Sequence, residues 1–161
     1  MFVEYAAEPQ PDTGSFQKHA AFRVGAHIIR ANTVNDASWM AKKGTEGIAS
    51  AGQYLSERAE MDNYPHHDYA MRVFELAGLE FGRLDFGIVA GRPQAYEINT
   101  NPSMLLNLAH PNAMRYETLA LVRSRLASAF ADMTDPVSWL PLSIPKYFKR
   151  RYIIGHRPRR F

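Results

Sequence analysis

The sequence predicts an α+β fold: an antiparallel sheet with helices packed on one face. Three observations predict it. Two pairs of strand-like runs each flank a glycine-containing turn, at Gly25-Ala26 and around Ala90-Gly91. Ala70, Val73, Phe74 and Ala77 recur at i, i+3, i+4 and i+7, with Gly78 where a helix is expected to stop. Leu119, Val122, Leu126, Ala129 and Met133 mark the apolar face of a longer helix over 113–133.

The elements follow in order. Residues 2–7 read as a short strand or extended connector, and 8–14, with Pro9, Pro11, Asp12 and Gly14, as a loop. Runs 16–24 and 27–34 form a tight antiparallel hairpin. Residues 36–43 are expected to make one or two helical turns ending at Gly44, and 48–62 a helix with a weak apolar stripe. After the helix ending near Gly78 come strands at 79–89 and 94–100, then a long loop over 101–112. Pro136, Pro141 and Pro145 break regular structure. The chain therefore divides into a body, 1–135, and a Pro-containing basic tail, 136–161.

Composition bounds the function. The 161 residues, 46% of them hydrophobic, fit one globular domain rather than a fibrous or disordered chain. With no cysteine, disulfide frameworks, thiolate zinc sites and cysteine nucleophiles are excluded. No apolar run reaches the roughly 18–20 residues that span a bilayer. The first residues lack the pattern of a signal peptide, so a cytoplasmic location is expected. The net charge of +3 is unevenly spread. Seven basic residues and no acid lie between Lys146 and Phe161, which leaves the rest of the chain mildly acidic. A nucleic-acid-binding fold usually spreads basic residues over a docking face, so this charge is poor support for one.

The chemistry concentrates in the second hairpin. Leu84, Phe86 and Ile88 alternate with Arg83 and Asp85, and on the partner run Tyr96 and Ile98 alternate with Glu97 and Asn99. If the two polar faces coincide, Asp85 lies opposite Glu97 and Arg83 opposite Asn99. That register demands either a three-residue loop at 90–92 or a β-bulge, because a two-residue turn sends Glu97 to the other face. Like charges directly opposite destabilise a strand pair unless a cation offsets them. Two carboxylates and an amide oxygen form an all-oxygen set suited to Mg²⁺ or Mn²⁺ together with phosphate oxygens, and Arg83 would suit a phosphate. A solvated face carrying an Arg–Asp–Glu salt-bridge set is the competing reading, because charged outward faces are common.

Gly82-Arg83-Leu84-Asp85-Phe86, followed by Tyr96-Glu97-Ile98-Asn99-Thr100-Asn101-Pro102-Ser103-Met104, resembles the metal-binding signature of the ATP-grasp superfamily. The likeness is greatest to its D-alanine–D-alanine-ligase and glutathione-synthetase-like branches. The resemblance implies a nucleotide-binding fold holding ATP phosphates through two Mg²⁺ ions. Asp85 and Glu97 would be metal ligands, Glu97 bridging the ions, and Asn99 would complete the second site. Arg83 would contact phosphate or the acyl-phosphate intermediate, and 100–104 would border the acceptor substrate. Upstream, 2–6 looks like the hinge strand whose backbone meets adenine, with Glu4 and Ala6 in that role and Glu8 on the ribose hydroxyls. Lys18 would face the phosphates. Ala20 stands where many relatives carry arginine, and Arg23 has the wrong parity to replace it.

The resemblance covers 2 to about 133, the second of two lobes, and the lobe carrying the other phosphate-binding lysines has no counterpart. The expectation is therefore a fragment of a carboxylate–amine (or thiol) ligase with a nucleotide and a small carboxylate as substrates, or a lobe completed by another chain. The alternative is a non-catalytic remnant or assembly module whose tail binds a partner, a membrane surface or RNA. His66 and His67 are expected to sit at a solvated helix start rather than on a metal, and His110 and Asn107 to play plain loop roles. Ser103 has no positioned partner for nucleophilic chemistry, and no GxSxG, Walker A or GxGxxG motif is present.

Overall fold

The computed structural model describes residues 7–42, 44–104 and 110–133. Glu4 and Ala6, Asn107 and the tail beyond Met133 lie outside the described residues. Among the described residues five antiparallel strands form one sheet: β1 (Phe16–Val24), β2 (His27–Arg30), β3 (Val34–Asp36), β4 (Phe81–Val89) and β5 (Arg92–Asn99). The order is β2-β1-β4-β5, with β3 pairing the first half of β1. The described residues also form three helices: α1 (Ala51–Ala59), α2 (His67–Ala77) and α3 (Ala113–Met133). None among the described residues is long and apolar enough to cross a membrane.

The α+β class and the antiparallel sheet are as expected, but the helices do not share one face. Ala20, Phe22 and Val24 of β1 pack with Val122, Leu126 and Ala129 of α3. Ala21 packs instead with Leu84, Phe86 and the α2 residues Ala70 and Phe74. Successive residues of a strand point to opposite faces, so α2 covers one side and α3 the other. Ala20, Ala21 and Phe22 in the middle of β1 are consecutively buried for this reason. The α2 helix ends at Gly78, whose left-handed φ of 66° closes the last turn with N–H bonds to Glu75 and Phe74 carbonyls. Ser50 and Gln53 form a capping box that starts α1.

Two local expectations are corrected. The run 27–34 is not one strand. Ala31 N–H still reaches Ala20 O at 2.9 Å, but Val34 rather than Thr33 then faces Lys18, so one residue is gained in between. Thr33 is held elsewhere: its N–H donates to Glu57 Oε2 at 2.8 Å, and its carbonyl accepts from Arg115 Nη2 at 2.8 Å. The residues after Asp36 make no helix. The Asp36 carboxylate accepts from Ser38 N–H and Thr45 Oγ1, both at 3.1 Å, and folds 36–45 into a closed loop.

A buried ionic cluster joins α1, β2 and α3. Arg30, Glu57 and Arg115 are all nearly inaccessible. Arg30 bonds Glu60 and lies 3.8 Å from Glu57, whose other oxygen is 3.2 Å from Arg115 Nε. That last contact is an ion pair without hydrogen-bond alignment. Burial raises the Glu57 carboxyl above the usual range, against the lowering pull of Arg115, Thr33 N–H and Arg30. Removing one partner of such a cluster leaves buried charge uncompensated. Glu57→Ala should destabilise the protein by about 3 kcal/mol in urea unfolding, and an unchanged midpoint would contradict this role.

The α2 side of the sheet holds a second titratable group. His19 stacks on Phe86, with ring centroids 5.3 Å apart, and His66 meets the same ring edge-on at 5.4 Å. His66 does stand at the start of α2, but this packing half-buries it, whereas His67 beside it is exposed as expected. Desolvation, then Arg30, then His66 push His19 down to about 4. The unfolded chain takes up this proton first as pH falls, so stability is lost between about 6.5 and 4 and no further below. The loss should be about 3 kcal/mol. Urea midpoints from pH 7 to 4 should fall less steeply for His19→Phe than for wild type, and parallel profiles would contradict the assignment.

Candidate functional site

The β4–β5 ladder sets the geometry. Arg83 pairs with Asn99, Leu84 with Ile98 and Asp85 with Glu97, so the four polar residues share one face of the sheet. Nearer the turn the register changes: Phe86 pairs with Ala95 and Val89 with Arg92. The turn therefore has two residues, Ala90 and Gly91, with positive φ of 49° and 72° as a type I′ turn requires. Tyr96 is the extra residue on β5, and the bulge there reconciles the tight turn with the Asp85–Glu97 pairing. It also overturns the simple alternation expected for β5. Tyr96 lies over Gly87, which is on the Asp85 face, rather than beside Ile98.

Asp85 is 1% exposed and its carboxylate is fully engaged. Arg83 donates through Nε at 2.8 Å and through Nη2 at 3.1 Å, and Lys18 Nζ lies 3.0 Å from Oδ2. Two cations thus surround one buried carboxylate. Glu97 is exposed, and among the described residues nothing bonds its side chain. Asn99 Oδ1 accepts from Asn101 N–H at 2.9 Å, a short turn that fixes the amide.

Two adjoining cavities, both lined by Lys18 and Lys42, open on this face. The smaller, about 80 Å³, is bordered by Lys18, Asn32, Lys42, Arg83 and Asp85. The larger, about 410 Å³, shares Lys18 and Lys42 and has Phe16, Trp39, Met40 and Tyr96 in its walls, with Glu97 at its edge. Together they make one groove, basic at one end and largely apolar at the other. Trp39, Met40 and Lys42 come from the loop closed by Asp36. Sequence reasoning missed them because it read those residues as helix; the Asp36–Ser38 spacing, favourable for a side chain bonding the backbone two residues on, was the available signal.

The remaining expected residues are placed as follows. Glu8 accepts from Ala90 N–H at 2.9 Å, which ties the chain before β1 to the hairpin turn. Ala20 is buried under the smaller cavity, and Arg23 donates to Gly25 O at the far end of β1. His110 accepts from Asn112 N–H and meets Tyr54 edge-on.

A hard divalent cation would find Glu97 as its open donor, while Asp85 would have to exchange Arg83 or Lys18, and Asn99 Oδ1 the Asn101 N–H, to join it. Glu97 is an accessible carboxylate facing Asp85 across the ladder, with Asn99 two pairs along on the same face. Among the described residues no group of three or more His, Asp or Glu could hold a metal by itself. Magnesium commonly relies on one or two carboxylates, with phosphate oxygens and water completing its shell. Lys18, Lys42 and Arg83 supply the cations such a phosphate would meet. No family model, curated protein or solved structure matches the chain.

Proposed function

We propose that this chain is the metal- and nucleotide-binding lobe of an ATP-grasp ligase, binding ATP with Mg²⁺ (or Mn²⁺) and acting in the cytoplasm. One observation carries the reading: Asp85–Glu97 and Arg83–Asn99 are adjacent pairs on one sheet face, beside a groove with lysines at one end and aromatic walls at the other. The resemblance of these same residues to the superfamily signature supplies the reaction class. In such a ligase ATP phosphorylates a carboxylate, and an amine or thiol displaces phosphate from the acyl phosphate.

Each residue has a stated part. Glu97, Asp85 and Asn99 would hold the metal, which lowers the cost of charge building up on the phosphates. The planar fork of Arg83 suits a phosphate or acyl-phosphate oxygen. Lys18 bridges between Asp85 and the groove, so it is placed to share its charge with a bound anion. Phe16, Trp39 and Met40 give the larger cavity apolar walls of the sort that receive a purine ring. A lobe of this kind would complete its catalytic site with a second lobe that excludes water and orients the substrates.

Glu97→Gln is the cleaner variant, because Glu97 is exposed and its loss breaks no internal bond. Titration calorimetry with Mg-ATP should show affinity reduced about tenfold or more, worth about 1.4 kcal/mol. Asp85→Asn should weaken binding as well and also lower stability, since Arg83 and Lys18 lose their buried partner. Equal binding by wild type and both variants would remove the metal assignment. Absence of any nucleotide binding by wild type would remove the ligase reading.

A further inference from the structure

We infer that Gly87 is a positioning residue: the side chain it lacks is what seats the Tyr96 ring in the wall of the larger cavity, where the ring favours ligands carrying a planar apolar group. The choice of ligand rests on the nucleotide reading above. The seating does not. Gly87 is buried in the middle of β4, between Phe86 and Ile88, where a β-branched or aromatic residue would strengthen the strand. Glycine inside a strand commonly marks a close approach by another group. Here the group is Tyr96. A Cβ placed on Gly87 would overlap Tyr96 Oη and stand 2.7 Å from Cζ and 3.2 Å from Cε2.

The bulge makes this contact possible. With regular alternation Tyr96 would follow Ile98 onto the α2 face, where that side packs against Leu84 and Phe86. The extra residue turns it to the groove face together with Glu97, and the bare backbone of Gly87 receives its hydroxyl end. Tyr96 remains 41% exposed, so part of the ring rests on the sheet while the rest borders the cavity that Phe16, Trp39 and Met40 also line. A planar ligand group entering this cavity meets that ring. The charged part of the same ligand meets Lys18 and Lys42, which both cavities share.

A mutant cycle over Gly87→Ala and Tyr96→Ala tests both halves, read by thermal melting and by titration with ATP and with inorganic tripolyphosphate, each with Mg²⁺. Gly87→Ala should lower the melting temperature by about 5 °C, and most of that shift should vanish when Tyr96→Ala is already present. Each single variant should bind ATP about tenfold more weakly and tripolyphosphate as wild type does. An equal melting shift in both backgrounds, or ATP affinity unchanged by Gly87→Ala, would overturn the inference. Equal weakening toward ATP and tripolyphosphate would also overturn it, by showing general damage to the groove. If wild type bound no nucleotide the ligase reading would fall, while the melting cycle would still decide the seating.

Discussion

Everything at the candidate site depends on a single added residue in β5. A two-residue turn at Ala90-Gly91 and an Asp85–Glu97 pairing are incompatible in a regular ladder, because a slip of one residue exchanges the two faces. The bulge at Tyr96 satisfies both. Without it, Glu97 and Asn99 would point toward α2, where Phe74, Leu84 and Phe86 form an apolar cluster, and two polar groups would be buried there without partners. With it, the α2 side stays apolar and the groove side gains Tyr96, Glu97 and Asn99. Position in the sheet makes this tolerable. Among the described residues β5 is the edge of the sheet, where a local disruption of the ladder and the missing N–H of Pro93 are best tolerated.

Asp85 carries the second constraint. A buried carboxylate is costly unless paired and hydrogen-bonded, and the sequence surrounds this one with Arg83 two residues away on the same strand and Lys18 from β1. Short contacts from both satisfy the carboxylate on two sides. The arrangement also links β1 to β4 through side chains at a level where Ala20, directly opposite Asp85, is small enough to leave room. The salt-bridge reading and the metal reading of this face are therefore not exclusive. Arg83 and Lys18 engage Asp85, and Glu97, which has no such partner among the described residues, lies exposed at the edge of the groove.

How much was legible depended on the range of the deciding interaction. α2 and α3 were readable because a helical stripe and a Gly78 stop are local signals, and the site ladder because alternating charge in a strand fixes its face. The interrupted second strand was not readable. Nothing in 27–34 announces that Thr33 will be captured by Glu57 and Arg115, which lie 24 and 82 positions away. The helical reading of 36–43 failed to a shorter-range competitor, the Asp36 side chain bonding to its own loop. His66 could not be assigned to the packing from sequence, since only the fold brings His19 and Phe86 beside it. The use of both sheet faces was visible in principle, in the nearly unbroken apolar character of Ala20, Ala21 and Phe22.

The distant ionic cluster and the groove are connected through that interrupted strand. Ala31, Asn32 and Val34 border the smaller cavity, and Thr33, in their midst, is gripped on both sides of its peptide by Glu57 and Arg115. The gained residue at this point shifts β3 along β1, and β3 in turn begins the loop that Asp36 closes. Gln17 Nε2, bonding Asn35 Oδ1 at 2.9 Å, fastens the shifted strand in its new register. Trp39, Met40 and Lys42 are therefore placed in the groove by a chain of contacts that starts at buried charges on α1 and α3. Two carboxylates thus shape the groove from different distances: Asp85 lines it directly, and Glu57, which touches no part of it, sets where its opposite wall stands.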